Sequence, residues 1–275
     1  MPKTKVLISV KTYPTLSKKY DELVCTAGFL EDGSWIRIYP VPYRKLDYAS
    51  QYNKYQWIEL DLVKNTKDFR PESYRPYDIG TEITTLNTLD TKNAWQKRKE
   101  IVLKHPVWTD MTALISSAKN PAERTSLAVF KPRKILDFIY EKDTPEWDQK
   151  KLEAVLSHQR ELNLFEETKK IFKIAKKVPF KFSYIFTSDD GKERSLMIED
   201  WEVGMLYWRS LESCDGNEEK ACELVRKRYL EEFSQKDLYF FLGTSLKFHN
   251  VSKSPFMIIG VFYPPKVDAK QLSLF

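Results

Sequence analysis

The sequence predicts an α+β protein, with a small N-terminal β-barrel-like domain that carries inserted helices and a C-terminal antiparallel sheet with helices in the order ββααββ. Short β-branched and aromatic runs separated by turn residues predict the strands of the first unit. Two helical stretches interrupt those strands, which is typical of an elaborated barrel loop. We place the barrel-like domain at residues 1–142, a charged helical linker at 143–177, the α+β domain at 178–265 and a tail at 266–275.

The first unit begins with a hairpin. Asp32-Gly33 lies between two β-rich runs, and this dipeptide is a strong signal for a tight turn. In the second run, Trp35, Arg37 and Tyr39 alternate with apolar residues and share one face. Strands are expected at 6–10, 23–29, 34–39, 55–63, 126–130 and 134–140, and helices at 92–103 and 110–118.

The second unit follows a Lys- and Glu-rich stretch in which residues 148–159 are expected to be helical. Strands are then expected at 179–187 and 195–198, helices at 201–211 and 218–233, and strands at 238–243 and 256–263. Strands on either side of two helices indicate an antiparallel sheet with the helices on one face.

Composition favours a nucleic-acid partner. The 275 residues include 14% aromatics and carry a net charge of +6, with a pI near 8.9. Cationic side chains contact phosphates and aromatic rings stack on bases, although aromatics also fill β-rich cores. The expected nucleic-acid-binding residues form a basic aromatic groove on the first domain. They are Lys11, Tyr13, Arg37, Tyr39, Arg44, Arg70, Arg75 and Arg98. The alternative is that the rings plug the barrel and the arginines pair with nearby carboxylates.

Catalytic chemistry has one candidate, the carboxylate pair Asp200 and Glu202 with Glu199 beside it. Such a pair could hold a divalent metal for phosphodiester cleavage. The simpler interpretation is that Asp200 caps the following helix while Glu202 favours the helix dipole. The three histidines are isolated and no nucleotide-binding or zinc-protease motif occurs, so we expect no metal and no cofactor unless the protein is a nuclease.

Three cysteines without a CxxC pair indicate a reducing compartment. The N-terminus runs straight into a predicted strand and has no apolar signal region, and no run is long enough to cross a bilayer. The sequence therefore predicts a soluble cytoplasmic protein without a membrane partner.

The last five residues, Gln-Leu-Ser-Leu-Phe, resemble the bacterial sliding-clamp-binding pentapeptide. The resemblance implies that Gln271 contacts the edge of a pocket on the clamp, that Leu272, Leu274 and Phe275 fill it, and that Ser273 faces water. Extended peptides of this kind insert alternate side chains into preformed apolar pockets. The alternative is that the tail docks on its own domain.

The body of the chain resembles a set of uncharacterised bacterial proteins. The residues that carry this resemblance are Phe182-Ser183-Tyr184, Asp200-Trp201-Glu202 and the segment 260–265. It implies no activity.

These observations lead to a first hypothesis of a DNA-associated binding protein that the replication clamp recruits, in repair, in mobile-element biology or in phage defence. A second hypothesis is a metal-dependent nuclease or nucleic-acid-processing enzyme delivered in the same way. It would require three or more carboxylates that converge with a lysine in a basic cleft. A third is an RNA-binding module whose terminus matches the clamp motif by accident.

Overall fold

Fourteen strands and five α-helices form within the residues that the computed structural model describes, which are 3–165 and 172–266. The first eight strands are β1 Thr4–Lys11, β2 Thr15–Ser17, β3 Asp21–Phe29, β4 Trp35–Val41, β5 Gln56–Leu60, β6 Leu62–Lys64, β7 Ser73–Pro76 and β8 Thr84–Thr88. The others are β9 Leu127–Phe130, β10 Lys134–Lys142, β11 Phe180–Thr187, β12 Glu193–Met197, β13 Tyr239–Thr244 and β14 Phe256–Phe262.

The helices are α1 Lys92–Val102, α2 Met111–Lys119, α3 Gln149–Phe165, α4 Trp201–Ser213 and α5 Glu218–Arg226. Two 3-10 turns, Tyr43–Lys45 and Tyr48–Ser50, follow β4, and a π-helix, Lys227–Glu232, extends α5. No helix in the described ranges is long and apolar enough to span a membrane. The fold class is α+β, as the sequence predicts.

The N-terminal strands form one curled sheet in the order β6-β7-β4-β3-β1-β5-β8, and β2 pairs with β3. Every pairing is antiparallel except that of β4 with β7. The Asp32-Gly33 turn joins β3 and β4 as expected, with Gly33 at a φ of +82°, a left-handed conformation that favours glycine. Strands β2, β7 and β8 were not expected, since they are short and lack an alternating apolar pattern.

The ββααββ order is present as β11-β12-α4-α5-β13-β14, but these four strands divide between two sheets instead of forming one. One sheet is β10-β11-β12 and the other is β14-β13-β9. A bridge between Ile198 and Ile258 connects them. Both β9 and β10 precede the boundary that the sequence predicts at residue 142, yet they hydrogen-bond to strands that follow it.

The sheets share buried apolar layers. Leu7 and Phe29 from the curled sheet pack in one cluster with Phe241 and Phe262 of β13 and β14. The β14-β13-β9 sheet therefore covers one face of the curled sheet, which is the face that also carries Trp35. A second cluster on the opposite face contains Val6, Ile8, Ile36 and Ile38. The first and last parts of the chain thus meet along a large buried interface.

Candidate functional site

The region with the most unusual chemistry lies where the end of β1 meets the start of α4. Thr12 forms a β-bridge with Asp200, and the Tyr13 backbone N–H donates to the Glu199 carbonyl at 3.4 Å. The Glu199 N–H donates to Ile258 of β14 at 2.8 Å. Segment 198–200 is thus held between β1, β11 and β14, and this fixes where α4 begins.

Asp200 begins α4 as its N-cap, because its side chain accepts a hydrogen bond from the Glu202 backbone N–H at 3.3 Å. Its carboxylate is nevertheless buried, with 1% of the residue exposed. The Oδ2 atom makes no hydrogen bond within the described part of the chain. The capping interpretation from the sequence therefore agrees with the structure, but the cap also places a negative charge in the interior.

Lys54, from the loop before β5, compensates that charge. Its ammonium donates to the Glu202 carboxylate at 2.7 Å and lies 3.7 Å from Asp200 Oδ2. Burial alone would lower the pKa of Lys54, but the two carboxylates raise it above its ordinary value. Burial, together with the neighbouring Glu202, raises the pKa of Asp200 to about 7 even though Lys54 opposes the shift. This ion cluster joins the curled sheet to α4.

Lys11 lies beside the cluster but makes different contacts. Its ammonium donates to the Tyr43 hydroxyl at 3.1 Å and to the Tyr52 carbonyl at 3.0 Å. The same ammonium lies 4.4 Å from the Tyr43 ring centre and 5.6 Å from that of Trp201. Burial lowers the pKa of Lys11 to about 8, with Glu202 opposing that shift and Lys54 adding to it. Lys11 is therefore a half-buried cation that supports the aromatic wall formed by Tyr43 and Trp201.

An open cavity of about 580 Å³ lies next to these groups. One face of α4 lines it with Trp201, Met205 and Trp208, and Tyr13 forms a further wall. Arg44 and Lys176 add positive charge to the lining. The volume is within the range of roughly 300–1,000 Å³ that small-molecule sites occupy.

Hydrogen bonds on both sides hold the Tyr13 ring in place. The Trp208 indole Nε1 donates to the Tyr13 hydroxyl oxygen at 2.8 Å, and that hydroxyl donates to the Lys176 carbonyl at 2.7 Å. Burial raises the pKa of Tyr13, so the phenol stays protonated. Gly204 lets the ring lie directly on α4, because a Cβ at this position would overlap the ring of Tyr13. The rings of Tyr13 and Trp208 are therefore held in place without a ligand.

The segment 172–177, which the sequence places in the linker, borders the cavity and is tied to the first unit. The Ala175 N–H donates to a Glu22 carboxylate oxygen at 2.9 Å, and the Trp147 indole donates to the Ala175 carbonyl at 2.8 Å. Arg44 donates to both oxygens of Glu22 at 2.9 and 2.8 Å and to the Lys173 carbonyl at 3.2 Å. In its described residues, this part of the linker is an ordered wall of the cavity.

The eight residues that the sequence assigns to one groove do not lie together. Lys11, Tyr13 and Arg44 meet beside the cavity, as described above. Tyr39 is 40% exposed on β4, and the exposed Arg75 borders a separate depression together with Lys19 and Pro40. Arg98 packs over Tyr55 and Trp95 at 4.2 and 4.8 Å from their ring centres.

The prediction that Arg37 and Arg70 line the groove is wrong, because only 2% and 6% of their surfaces are exposed. Arg37 donates to the Ser126 hydroxyl at 2.8 Å and to the Ser126 carbonyl at 3.1 Å. Arg70 pairs with Asp68 and donates to the Thr244 carbonyl. The β14-β13-β9 sheet covers this face of β4, so both guanidinium groups stabilise the interface between sheets instead of facing a ligand.

Sequence reasoning missed three contributors to this region, which are Lys54, Trp201 and Trp208. The spacing of Trp201, Met205 and Trp208 at i, i+4 and i+7 could have indicated a second apolar face on α4. Nothing in the sequence connects Lys54 with Asp200. The residues that the sequence predicts to bind a sliding clamp, Gln271, Leu272, Leu274 and Phe275, lie outside the described residues.

Within the described ranges, no group of three or more His, Cys, Asp or Glu side chains is placed to hold a metal ion. The pair Asp200 and Glu202 is engaged with Lys54 instead. The converging carboxylates that the nuclease hypothesis requires are therefore not found in this part of the chain.

Comparison with known proteins identifies two adjoining families. The family described as a domain of unknown function (DUF8758) matches residues 2–104, and that described as a domain of unknown function (DUF8757) matches residues 107–275. Their junction lies close to residue 105, upstream of β9 and β10. No curated protein matches the sequence.

Two solved structures show a distant similarity. A murine DNA-binding protein bound to double-stranded DNA is 10% identical with a TM-score of 0.32, and the match covers 98% of this chain and 100% of that one. The tetrameric p202 HIN2 structure is 8% identical with a TM-score of 0.29, and the match covers 74% of this chain and 72% of that one. TM-scores this low do not establish a common fold.

Proposed function

The chain belongs to the family described as a domain of unknown function (DUF8757), and for this member we propose a nucleic-acid-binding protein that the bacterial sliding clamp recruits. The observation that carries the binding part is the cavity lined by Tyr13, Trp201 and Trp208 with Arg44 and Lys176 beside it. Stacking surfaces next to cations are what single-stranded or locally opened nucleic acid needs from a protein. The net charge of +6 favours the approach of a polyanion.

The recruitment part rests on the sequence of residues 271–275, which fills every position of the clamp-binding pattern. A short peptide that binds the clamp raises the local concentration of its protein at DNA without a new DNA contact. The two activities therefore reside in separate parts of the chain, and DNA is the more natural partner than RNA. A role in repair, in mobile-element biology or in phage defence would use this arrangement.

The binding part is tested by titrating the full chain against labelled single-stranded DNA, duplex DNA and RNA of the same sequence at several salt concentrations. We expect affinity to fall as salt rises, because phosphate contacts release counterions. Lys176→Glu should weaken binding and reduce the slope of log affinity against log salt by about 1. Lys192→Glu is the matched control, since Lys192 is exposed at the far end of β12 from Asp200. Equal effects of the two variants would contradict the assignment of the cavity.

The recruitment part is tested by deleting residues 271–275 and measuring binding to purified sliding clamp by surface plasmon resonance. We expect clamp binding to be lost while the affinity for DNA in the isolated protein stays the same. Ser273→Ala is the control, because the resemblance places Ser273 in water and the substitution should leave clamp binding intact. Equal loss of clamp and DNA binding on deletion would refute the separation of the two activities.

A further inference from the structure

The face that α4 turns toward the cavity is only partly packed. Trp208 lies against one core cluster and Trp201 lies against Tyr43, but both rings also border open space. Val203, Tyr207 and Ser210 lie on the opposite face and are buried. That face already anchors the helix in the core, through an apolar cluster that includes the fully buried Tyr207. Trp201 and Trp208, in contrast, are only half-buried and border open space. Large rings that are held beside a cavity instead of within a core indicate a surface for a ligand.

The rings are suited to a flat ligand. Trp208 is oriented by its hydrogen bond to Tyr13, and Tyr13 is held by Lys176 and by the backbone of Gly204. A wall that is fixed in advance loses little conformational entropy when a planar group stacks on it. Met205 lies between the two tryptophans and adds a polarisable surface.

Aromatic cavities accept either cationic groups or planar bases, and the charge of the lining distinguishes between these two kinds of ligand. Quaternary ammonium groups also bind aromatic cages. Here, however, the ammonium of Lys176 already lies 5.5 Å from the Trp208 ring centre, and Arg44 is close by. Glu22 balances the charge of Arg44, so Lys176 is the cation that would repel a cationic ligand and attract the phosphates that accompany a nucleobase. Among the described residues of the lining, Glu212 is the one carboxylate, and it can accept hydrogen bonds from the N–H groups of a base.

We propose that this cavity binds a single unpaired nucleobase, stacked on Trp208 or Trp201, with the adjoining phosphates near Lys176 and Arg44. The inference rests on the proposed nucleic-acid function and names the part of the nucleic acid that the site takes. A base within a duplex is stacked and paired, so only an extruded or unpaired base can enter a side-chain cavity. The protein would therefore favour DNA that contains a gap, a mismatch or an unpaired nucleotide over intact duplex.

The test uses the full chain and two duplexes that contain one 2-aminopurine, either paired with thymine or opposite an abasic site. We expect the unpaired probe to bind at least about fivefold more tightly than the paired probe, because stacking of one base on an aromatic ring contributes at least that much affinity. Its fluorescence should be quenched on binding, because the base stacks on an indole. Trp208→Ala should reduce the preference for the unpaired probe to near one.

Two further variants keep the test decisive. Trp208→Phe retains a ring and should keep most of the preference, which separates stacking from the loss of the Tyr13 hydrogen bond. Phe248→Ala removes an aromatic ring that is 48% exposed on another loop and should change nothing. Equal affinity for both probes, unaffected by Trp208→Ala, would overturn the base site and leave nucleic-acid binding standing. Failure to bind either probe at any salt concentration would overturn the proposed function and the base site together.

Discussion

The Tyr13 hydroxyl receives a hydrogen bond of 2.8 Å from the indole of Trp208, although the two residues lie 195 positions apart in the sequence. The same hydroxyl donates to the Lys176 carbonyl at 2.7 Å. One phenol therefore fixes the relative positions of the end of β1, α4 and the segment 172–177. These three parts of the chain border the cavity together with Arg44.

Tyr13→Phe removes that hydroxyl and keeps the ring. We expect the free energy of unfolding to fall by about 1–3 kcal/mol, because the Lys176 carbonyl and the Trp208 N–H lose a partner. Urea unfolding followed by circular dichroism measures this change. Tyr48→Phe is the control, since Tyr48 is 93% exposed and its hydroxyl faces water. Identical stability of Tyr13→Phe and the unaltered protein would show that the hydroxyl does not hold the cavity together.

Gly204→Ala should destabilise the protein although alanine favours helices by about 1 kcal/mol over glycine. The added Cβ would overlap the Tyr13 ring and push it away from α4. Thermal unfolding should show a lower melting temperature for the single variant. In the double variant Tyr13→Ala with Gly204→Ala the clash is gone, so the second substitution should become neutral or stabilising. An equally harmful effect of Gly204→Ala in both backgrounds would argue against contact with the ring.

Lys54→Met should be strongly destabilising. The substitution retains the length of the side chain but leaves the buried Asp200 and the partly exposed Glu202 without their cation. Removing one partner of a buried ion pair costs about 3–5 kcal/mol, and the exposure of Glu202 places the expected loss toward the lower end of that range. Denaturant titration at neutral pH measures the loss. The same substitution at the exposed Lys236 should change stability by less than about 0.5 kcal/mol. A loss at Lys54 no larger than at Lys236 would mean that the cluster is not formed in solution.

Asp200→Asn should change how stability depends on pH. Because the folded-state pKa of Asp200 is raised to about 7 from an ordinary value of 3.8, its stabilising contribution is present below pH 4 and is lost as the pH rises through 7. Asparagine keeps the N-cap and removes this titration. As the pH rises from 4 to 8, the free energy of unfolding of the unaltered protein should therefore fall relative to that of the variant. We expect this difference to reach roughly 1–3 kcal/mol in favour of the variant.

Denaturant midpoints across that pH range would measure the effect of Asp200→Asn. The pKa of Lys11 is lowered to about 8, and Lys54 and Lys11 lower the pKa of the partly exposed Glu202, so both groups act mainly outside this window. Asp215→Asn replaces an exposed aspartate just after α4 and should leave the pH profile unchanged. Parallel pH profiles for Asp200→Asn and the unaltered protein would contradict the raised pKa.

Arg37→Gln should lower stability by about 3 kcal/mol or more, because it removes a buried charge-assisted contact with Ser126 and Thr244. Arg37→Gln should not alter DNA affinity in the way expected of a residue that contacts phosphates. At a temperature where the variant is fully folded, the dependence of DNA affinity on salt should match that of the unaltered protein. A flatter salt dependence would place Arg37 at the ligand after all.

The elements of the fold were predictable because their signals are local. The strand at 180–187 and the helix at 201–213 follow from alternation and from an acidic cap, which residues near one another in sequence determine. The pairing of β9 with β13 was not predictable, since it depends on contacts more than 100 residues apart in sequence.

The site was less predictable for the same reason. Arg37 shares a face with two aromatic residues, and a pattern of period two cannot distinguish a ligand-binding face from one that another sheet covers. Lys54 and Asp200 become neighbours only because the loop before β5 meets the start of α4. The role of residues 271–275 stays a prediction from their sequence.

Photo-crosslinking tests the central claim most directly. Single-stranded DNA with 5-iododeoxyuridine would be bound to the full chain, irradiated and digested, and the modified peptides would be identified by mass spectrometry. We predict crosslinks to Tyr13, Trp201 or Trp208, which surround the cavity. Crosslinks found only at the exposed Tyr39 of β4, or at the separate depression that Arg75 borders, would contradict the account.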